Sequence, residues 1–281
     1  MSIKTKLHDM TTDWHKSLGR RLSRRYHDYP LGREPRSDAA TYLALHTEAR
    51  AIDHPEVDAI EAELGFAIDR EWMEQLALHT QVVIKSSTLC YQHGRLLYAF
   101  LRHYVHSKGL RTVTIVETGT ARGFSAMCMA RALADANVDG RIITFDVLPH
   151  DTPMYWNCID DMDGPKSRRA LLGNYRDLAE LVLFVQGDTI ESLRRAGLPR
   201  VHFAFLDAQH TAHYVLSEFQ AIESLQESGD VVFFDDYSAD QFPGVVEAVE
   251  EILQHGYEGR ILTVSDKRAY VHATKTGQQA G

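Results

Sequence analysis

The sequence predicts an α/β fold: a mostly parallel, doubly wound sheet of seven strands, ending in an antiparallel hairpin and preceded by a helical segment. Three observations carry that expectation. From residue 111 onward, short runs rich in β-branched and aromatic residues alternate with helical stretches. The runs are nearly continuous in apolar residues, as strands covered by helices on both faces are. The last two runs are separated by Ser265, Asp266 and Lys267 alone, too short a link for a crossover helix, so they should turn back on each other.

Taken in order, residues 1 to about 50 are polar and mixed, with Pro30, Gly32 and Pro35 interrupting any helix. From about 55 to 107 the pattern is helical. Asp69 stands before a stretch of good helix formers, and 91–105 places its apolar side chains on one face. Strands are expected at 112–117, 141–146, 181–185, 201–206, 230–234, 260–264 and 268–272. Helices are expected near 124–136, 167–179, 189–195, 211–227 and 243–255. The chain therefore divides into a helical extension or cap, 1–108, and an α/β domain, 109–281.

A net charge of −9, from 30 Lys and Arg against 39 Asp and Glu, argues against a chain built to grip a phosphate backbone. No nucleic-acid partner is expected. Arg20, Arg21, Arg24 and Arg25, followed by Arg33 and Arg36, form a local exception; it reads as a solvated face, with an anionic partner as the other reading. Cys90, Cys128 and Cys158 are widely spaced and odd in number, which suggests neither a disulfide framework nor a zinc site and fits a reducing cytoplasm. No apolar stretch has the length of a signal peptide core or of a bilayer span, so no membrane partner is expected.

The first strand runs into Glu117-Thr118-Gly119-Thr120-Ala121-Arg122-Gly123-Phe124-Ser125. In an open parallel sheet, ligands bind beyond the C-terminal strand ends, where the strand order reverses. Glycines there let the backbone approach a ligand. A diphosphate site presents N–H groups in a G-x-G-x-x-G turn; this loop reads G-x-x-x-G and opens with a carboxylate. Glu117 would repel a diphosphate and attract an ammonium group. S-adenosylmethionine carries an ammonium and a sulfonium and has no phosphate, so the sign of the charge favours it.

The run 117–125 resembles the first motif of class I S-adenosylmethionine-dependent methyltransferases, especially the small-molecule O-methyltransferases, which have a Rossmann-like sheet. Two further stations match in order: Asp146, at the end of Ile143-Thr144-Phe145-Asp146, and Gly187-Asp188 after the third strand. The resemblance covers about residues 110–273. It implies cofactor contacts from Glu117, Gly119, Thr120, Gly123, Ser125, Asp146 (ribose), Gly187, Asp188 (adenine) and Asp207.

The fourth expected strand ends in Asp207-Ala208-Gln209-His210 and the fifth in Asp235-Asp236. If these strands are neighbours, Asp207, Asp235 and Asp236 converge. Clustered carboxylates raise one another's pKa unless a cation sits among them, and oxygen ligands suit Mg²⁺ or another hard divalent ion. The arrangement resembles the metal-dependent O-methyltransferases of catechols and antibiotic sugars. That resemblance implies a metal on Asp207, Asp235 and Asp236 that chelates an acceptor hydroxyl. It also implies a general base three residues after Asp207, where this chain departs from the catechol-type lysine by having His210.

Tyr155, Trp156 and Asn157, in an insertion over about 148–166, read as a substrate lid or equally as anchors for a long loop. Lys85, Tyr91 and His93 stand before the long N-terminal helix, within reach of the same pocket. The expected partner is a hydroxylated small molecule (sugar, polyketide or aromatic), with a second copy of the chain left open. Competing expectations are a metal-free methyltransferase using Asp207 or His210 as base, an NAD-dependent oxidoreductase and a non-catalytic cofactor-binding protein. The missing third glycine, Glu117 and the terminal hairpin count against the oxidoreductase.

Overall fold

Seven strands form one sheet: β1 (Thr112–Thr118), β2 (Asp139–Asp146), β3 (Val182–Gln186), β4 (Phe203–Leu206), β5 (Val231–Phe234), β6 (Tyr257–Ser265) and β7 (Arg268–Lys275). This computed structural model describes residues 30–265 and 268–277. The spatial order is β3-β2-β1-β4-β5-β7-β6. β1 to β5 are parallel, whereas β7 runs antiparallel to both β5 and β6. The order reverses between β1 and β4, so the loops leaving those two strands open the cleft expected of such a sheet.

Alternation along the strands builds two cores. Val113, Ile115, Phe203, Phe205 and Phe233 point to one face, against the helices Phe124–Ala136 and His93–Lys108 and the shorter helices before them. Val116, Ala204, Leu206, Val232 and Phe234 point to the other, against the helices Ala212–Glu223 and Pro243–Leu253. Each fully buried aliphatic or aromatic side chain contributes about 1.5–3 kcal/mol, so strands lined on both faces are tightly specified. No helix among the described residues is long and apolar enough to cross a membrane.

Three local departures have physical causes. A helix at Ala39–Arg50 was not expected so close to the prolines; it starts after them, with the Asp38 carboxylate accepting the Thr41 N–H at 2.8 Å as its cap. The single helix expected over 167–179 is two short ones, Arg168–Leu171 and Arg176–Ala179, joined by a 3₁₀ turn at Gly173–Tyr175, because Gly173 and Asn174 are poor helix formers. The hairpin strands extend beyond their expected limits, reaching Tyr257 and Lys275. Arg20, Arg21, Arg24, Arg25, Asp266 and Lys267 lie outside the described residues.

The insertion after β2 folds on itself. Met154 and Lys166 exchange backbone hydrogen bonds at 2.9 and 3.0 Å, and Leu148, Met154, Trp156, Cys158 and Leu171 make a small core of their own. Trp156 is fully buried, its indole N–H donating to the Lys166 carbonyl at 2.7 Å. The Asn157 side chain accepts the Ile84 N–H at 3.1 Å and donates to the Ile84 carbonyl at 2.9 Å. It also accepts from the Tyr42 hydroxyl at 3.2 Å. Trp156 anchors the insertion on itself, and Asn157 joins it to the N-terminal segment at Tyr42 and Ile84.

Candidate active site

At the end of β1 the chain turns through Gly119 and Gly123, both with left-handed φ (85° and 94°). A Cβ on Gly119 would lie 2.2 Å from the Asp207 carbonyl oxygen, and one on Gly123 would lie 2.9 Å from Leu172. The close approach that requires glycine is thus made first by the protein's own neighbouring loops. No side chain caps the helix Phe124–Ala136 that follows, which leaves its leading N–H groups for a polar ligand.

Glu117 is placed differently from its expected role beside an ammonium group. It is fully buried, and its carboxylate accepts from the hydroxyls of Ser125 and Thr144. Thr144 in turn shares a 2.5 Å hydrogen bond with Thr120. Burial raises the Glu117 carboxyl to about 7 despite those hydroxyls. Three of the expected cofactor residues, Glu117, Thr120 and Ser125, therefore form one network under the loop.

Asp146 is 9% exposed. Its Oδ1 accepts the Leu148 N–H at 2.8 Å, and its Oδ2 accepts the Ala121 N–H at 2.6 Å and Arg168 Nη2 at 3.2 Å. Oδ1 keeps a lone pair for a ligand hydroxyl. Val147, the next residue, is 51% exposed and offers an apolar face beside it. After β3, Gly187 has φ 157°, and the exposed Asp188 caps the helix Thr189–Arg195 through the Glu191 N–H at 3.1 Å. These residues fit a ligand with a diol and a flat base.

The other half of the cleft lies at the ends of β4 and β5, adjacent as expected. His210 Nε2 stands 3.4 Å from Asp207 Oδ1 and 3.2 Å from Asp236 Oδ2, its ring edge-on to Phe242 at 4.5 Å. Burial and the charges of Asp235 and Asp236 push the Asp207 carboxyl well above the usual carboxylate range, opposed by His210. Burial disfavours the His210 imidazolium, but the hydrogen bond and charge of Asp207, with Asp236 and Asp235, raise its pKa above the ordinary histidine value. Asp236 is itself raised, by burial and by Asp235.

Asp235 departs from the expected ligand set. Its carboxylate is almost wholly buried and taken by Arg268 Nη2 at 3.0 and 2.9 Å, while Arg268 Nη1 reaches Asp236 Oδ1 at 2.9 Å. A guanidinium that bridges two carboxylates supplies the charge a metal was expected to supply there. Among the described residues, the acidic and histidine side chains with ligand atoms within 4.8 Å of one another are Asp207, His210 and Asp236. Two carboxylates and an imidazole fit a divalent cation; Asp235 does not join them.

Lys85 is exposed, yet close enough to Arg268, Asp236 and Asp235 to feel their charges; burial of its neighbourhood and Arg268 lower its pKa. Tyr91 is engaged with Glu74 at 2.7 Å. His93 is buried between Phe124 and Phe205, with its Nδ1 unpartnered among the described residues, and burial holds its pKa down to about 4.

Sequence reading missed Arg268, Arg168, Val147 and Glu218. The first two gave no signal, because their partners lie 33 and 22 positions away. Glu218 could have been found: it falls on the stripe of Val215, Phe219 and Ile222, and a charge on an apolar face is a warning. It accepts from the Thr118 hydroxyl at 3.0 Å, and that oxygen accepts the Asp207 N–H at 3.2 Å. Glu218 thus braces the strand end that carries Asp207.

Residues 116–237 match the sequence profile of a family described as a methyltransferase domain. No curated protein matches the chain. Among solved structures, the chain is similar to the O-methyltransferase TomG of Streptomyces achromogenes, involved in tomaymycin synthesis and solved with S-adenosylmethionine, at 19% identity and a TM-score of 0.51, covering 75% of this chain and 92% of that one. The O-methyltransferase NovP is similar at 15% identity and a TM-score of 0.51, covering 86% of this chain and all of that one. At these identities the likeness is one of fold.

Proposed function

We propose that this chain, a class I S-adenosylmethionine-dependent methyltransferase, methylates a hydroxyl of a small molecule such as a sugar, a polyketide or an aromatic natural product. The observation that carries the reading is the group Asp207, His210 and Asp236 at the ends of β4 and β5, beside the glycine loop. When bound, S-adenosylmethionine supplies the methyl group. Asp146 and Val147 would receive its ribose and adenine, Gly187 and Asp188 would border the base, and the first turn of Phe124–Ala136 would receive its carboxylate. Glu117, Thr120 and Ser125 hold the loop from beneath.

Asp207, His210 and Asp236 would hold a divalent cation such as Mg²⁺. Bound there, the cation would supply Lewis acidity that lowers the pKa of an acceptor hydroxyl. The three carboxylates at this spot are paired directly with one permanent cation, Arg268, with Lys85 nearby, so negative charge remains in excess and favours a further cation. Placement of the acceptor beside the methyl donor supplies much of the acceleration.

A second reading rests on Arg268. Because it already neutralises Asp235 and Asp236, the acceptor proton would go to Asp207 or His210 without a metal, with Asp207 and Asp236 steadying the imidazolium at its Nε2. Chelation separates the two. Under the first reading, stringent metal removal abolishes turnover, leaves S-adenosylhomocysteine affinity unchanged, and is reversed by Mg²⁺. Asp236→Asn then raises the metal concentration needed by at least about tenfold, and Asp235→Asn does not. Full turnover after metal removal selects the second reading. The free cysteines fit a cytoplasmic enzyme.

A further inference from the structure

Ala121, at the tip of the glycine loop, has a left-handed backbone with φ 46°. For a residue with a Cβ this costs about 1–2 kcal/mol and persists when both of its backbone polar groups are held. They are: its N–H donates to Asp146 Oδ2 at 2.6 Å, and its carbonyl accepts from Arg168 Nε at 2.8 Å. The same guanidinium donates through Nη2 to Asp146 Oδ2 at 3.2 Å. Arg168 is 2% exposed and lies against the rings of Trp156 and Phe184, 5.4 and 5.9 Å from their centres. A guanidinium is tolerated at that depth only with its partners in place.

The contact is reciprocal. Arg122, next to Ala121, donates from Nε to the Trp156 carbonyl at 2.6 Å. The loop's arginine reaches into the insertion, and Arg168, on the short helix that directly follows the insertion, reaches into the loop. The insertion can hold its side of this contact because it is stiff: Asp161 accepts the Trp156 N–H at 2.7 Å, and the Met154–Lys166 bridge closes its base.

We infer that Arg168 is a positioning residue for the cofactor: it fastens the loop tip to the carboxylate of Asp146, and it forms, with the insertion that precedes it, a clasp holding both in binding geometry before the cofactor arrives. The inference rests on the S-adenosylmethionine reading and assigns to the insertion a role in cofactor selection. Holding groups in place beforehand reduces the ordering cost of binding. The role needs a fork, since Nε and Nη2 serve different acceptors; a lysine keeps the charge but has one nitrogen.

The test is calorimetric titration of the full chain with S-adenosylhomocysteine and with its 2′-deoxyribose analogue. The wild type should bind the ribose form more tightly. Arg168→Met should weaken binding of the ribose form by about 10–100-fold, as loss of an outer support does elsewhere, and bring the two affinities together. Arg168→Lys should fall between, and it carries the test alone if the Met variant does not fold. Unchanged affinities, or an equal loss for both ligands, would overturn the inference, because a merely structural defect does not single out the ribose hydroxyl. A wild type that binds neither ligand would overturn the cofactor reading instead.

Discussion

The two halves of the cleft treat their acids in opposite ways. On the side of β1 to β3, Glu117 and Asp146 are met by hydroxyls, backbone N–H groups and Arg168. On the side of β4, β5 and β7, charge is set against charge: three aspartates crowd a histidine and one arginine. A site that only binds is well served by partners fixed in advance. A site that handles a proton or a cation gains from groups whose pKa values neighbouring charges have displaced. Under the proposed function, the contrast would give recognition to the first half and chemistry to the second.

Substitution of Asp207 by Asn gives the sharpest attempt to break that division. If the acid serves chemistry, kcat should fall by about 10²–10⁴-fold, the range for losing a proton-handling group. The dissociation constant for S-adenosylhomocysteine should move far less. Calorimetry beside steady-state rates decides it. Affinity that falls in step with the rate would make Asp207 a cofactor residue and merge the two halves.

Legibility followed the same division. Strand number and the terminal hairpin could be read because apolar runs and link lengths are local properties, and the acids at the strand ends were visible as breaks in those runs; the order β3-β2-β1-β4-β5-β7-β6 was not, because it depends on which strands pair across the sheet. Which acid meets which partner was not. Asp235 and Asp236 look equivalent in sequence, yet the left-handed turn at Asp236 (φ 55°) sends one carboxylate into Arg268 and leaves an oxygen of the other near His210. Nothing near Asp235 announces an arginine on a strand that returns antiparallel beside it. Glu117 shows the same limit: its position at a strand end was legible, its inward orientation was not.

Arg268 offers the next test. Replacing it with leucine leaves two carboxylates, 1% and 9% exposed, stripped of their guanidinium, with His210 at 3.2 Å from Asp236 and Lys85 nearby as the remaining counter-charges. Breaking a buried pair from one side costs about 3–5 kcal/mol, which urea unfolding at pH 7 should register. Protonation of a carboxyl removes the repulsion, and Asp236 already has a raised pKa. The deficit should therefore shrink as the pH is lowered toward 5. A deficit that is independent of pH would show that Arg268 acts by packing on Tyr270, and that the charges on this side matter less than the comparison holds.

Glu117 tests the quiet half, with a smaller effect. Its folded pKa of about 7 lies above the ordinary glutamate value of 4.5. The folded state therefore favours the protonated form. That contribution to stability is complete below pH 4.5, declines as the pH rises through 7, and is then gone. The shift corresponds to at most about 3 kcal/mol, reduced by whatever relaxation the Ser125 and Thr144 hydroxyls allow. Glu117→Gln keeps the shape and removes the titration. Unfolding free energies measured from pH 4.5 to 8 should therefore decline less steeply in the variant, which should match or exceed the wild type at pH 8. Its S-adenosylhomocysteine affinity should change little, since the carboxylate lies under the loop. A large loss of affinity with unchanged stability would mean that Glu117 meets the cofactor's ammonium after all, and that the recognition half also works through charge.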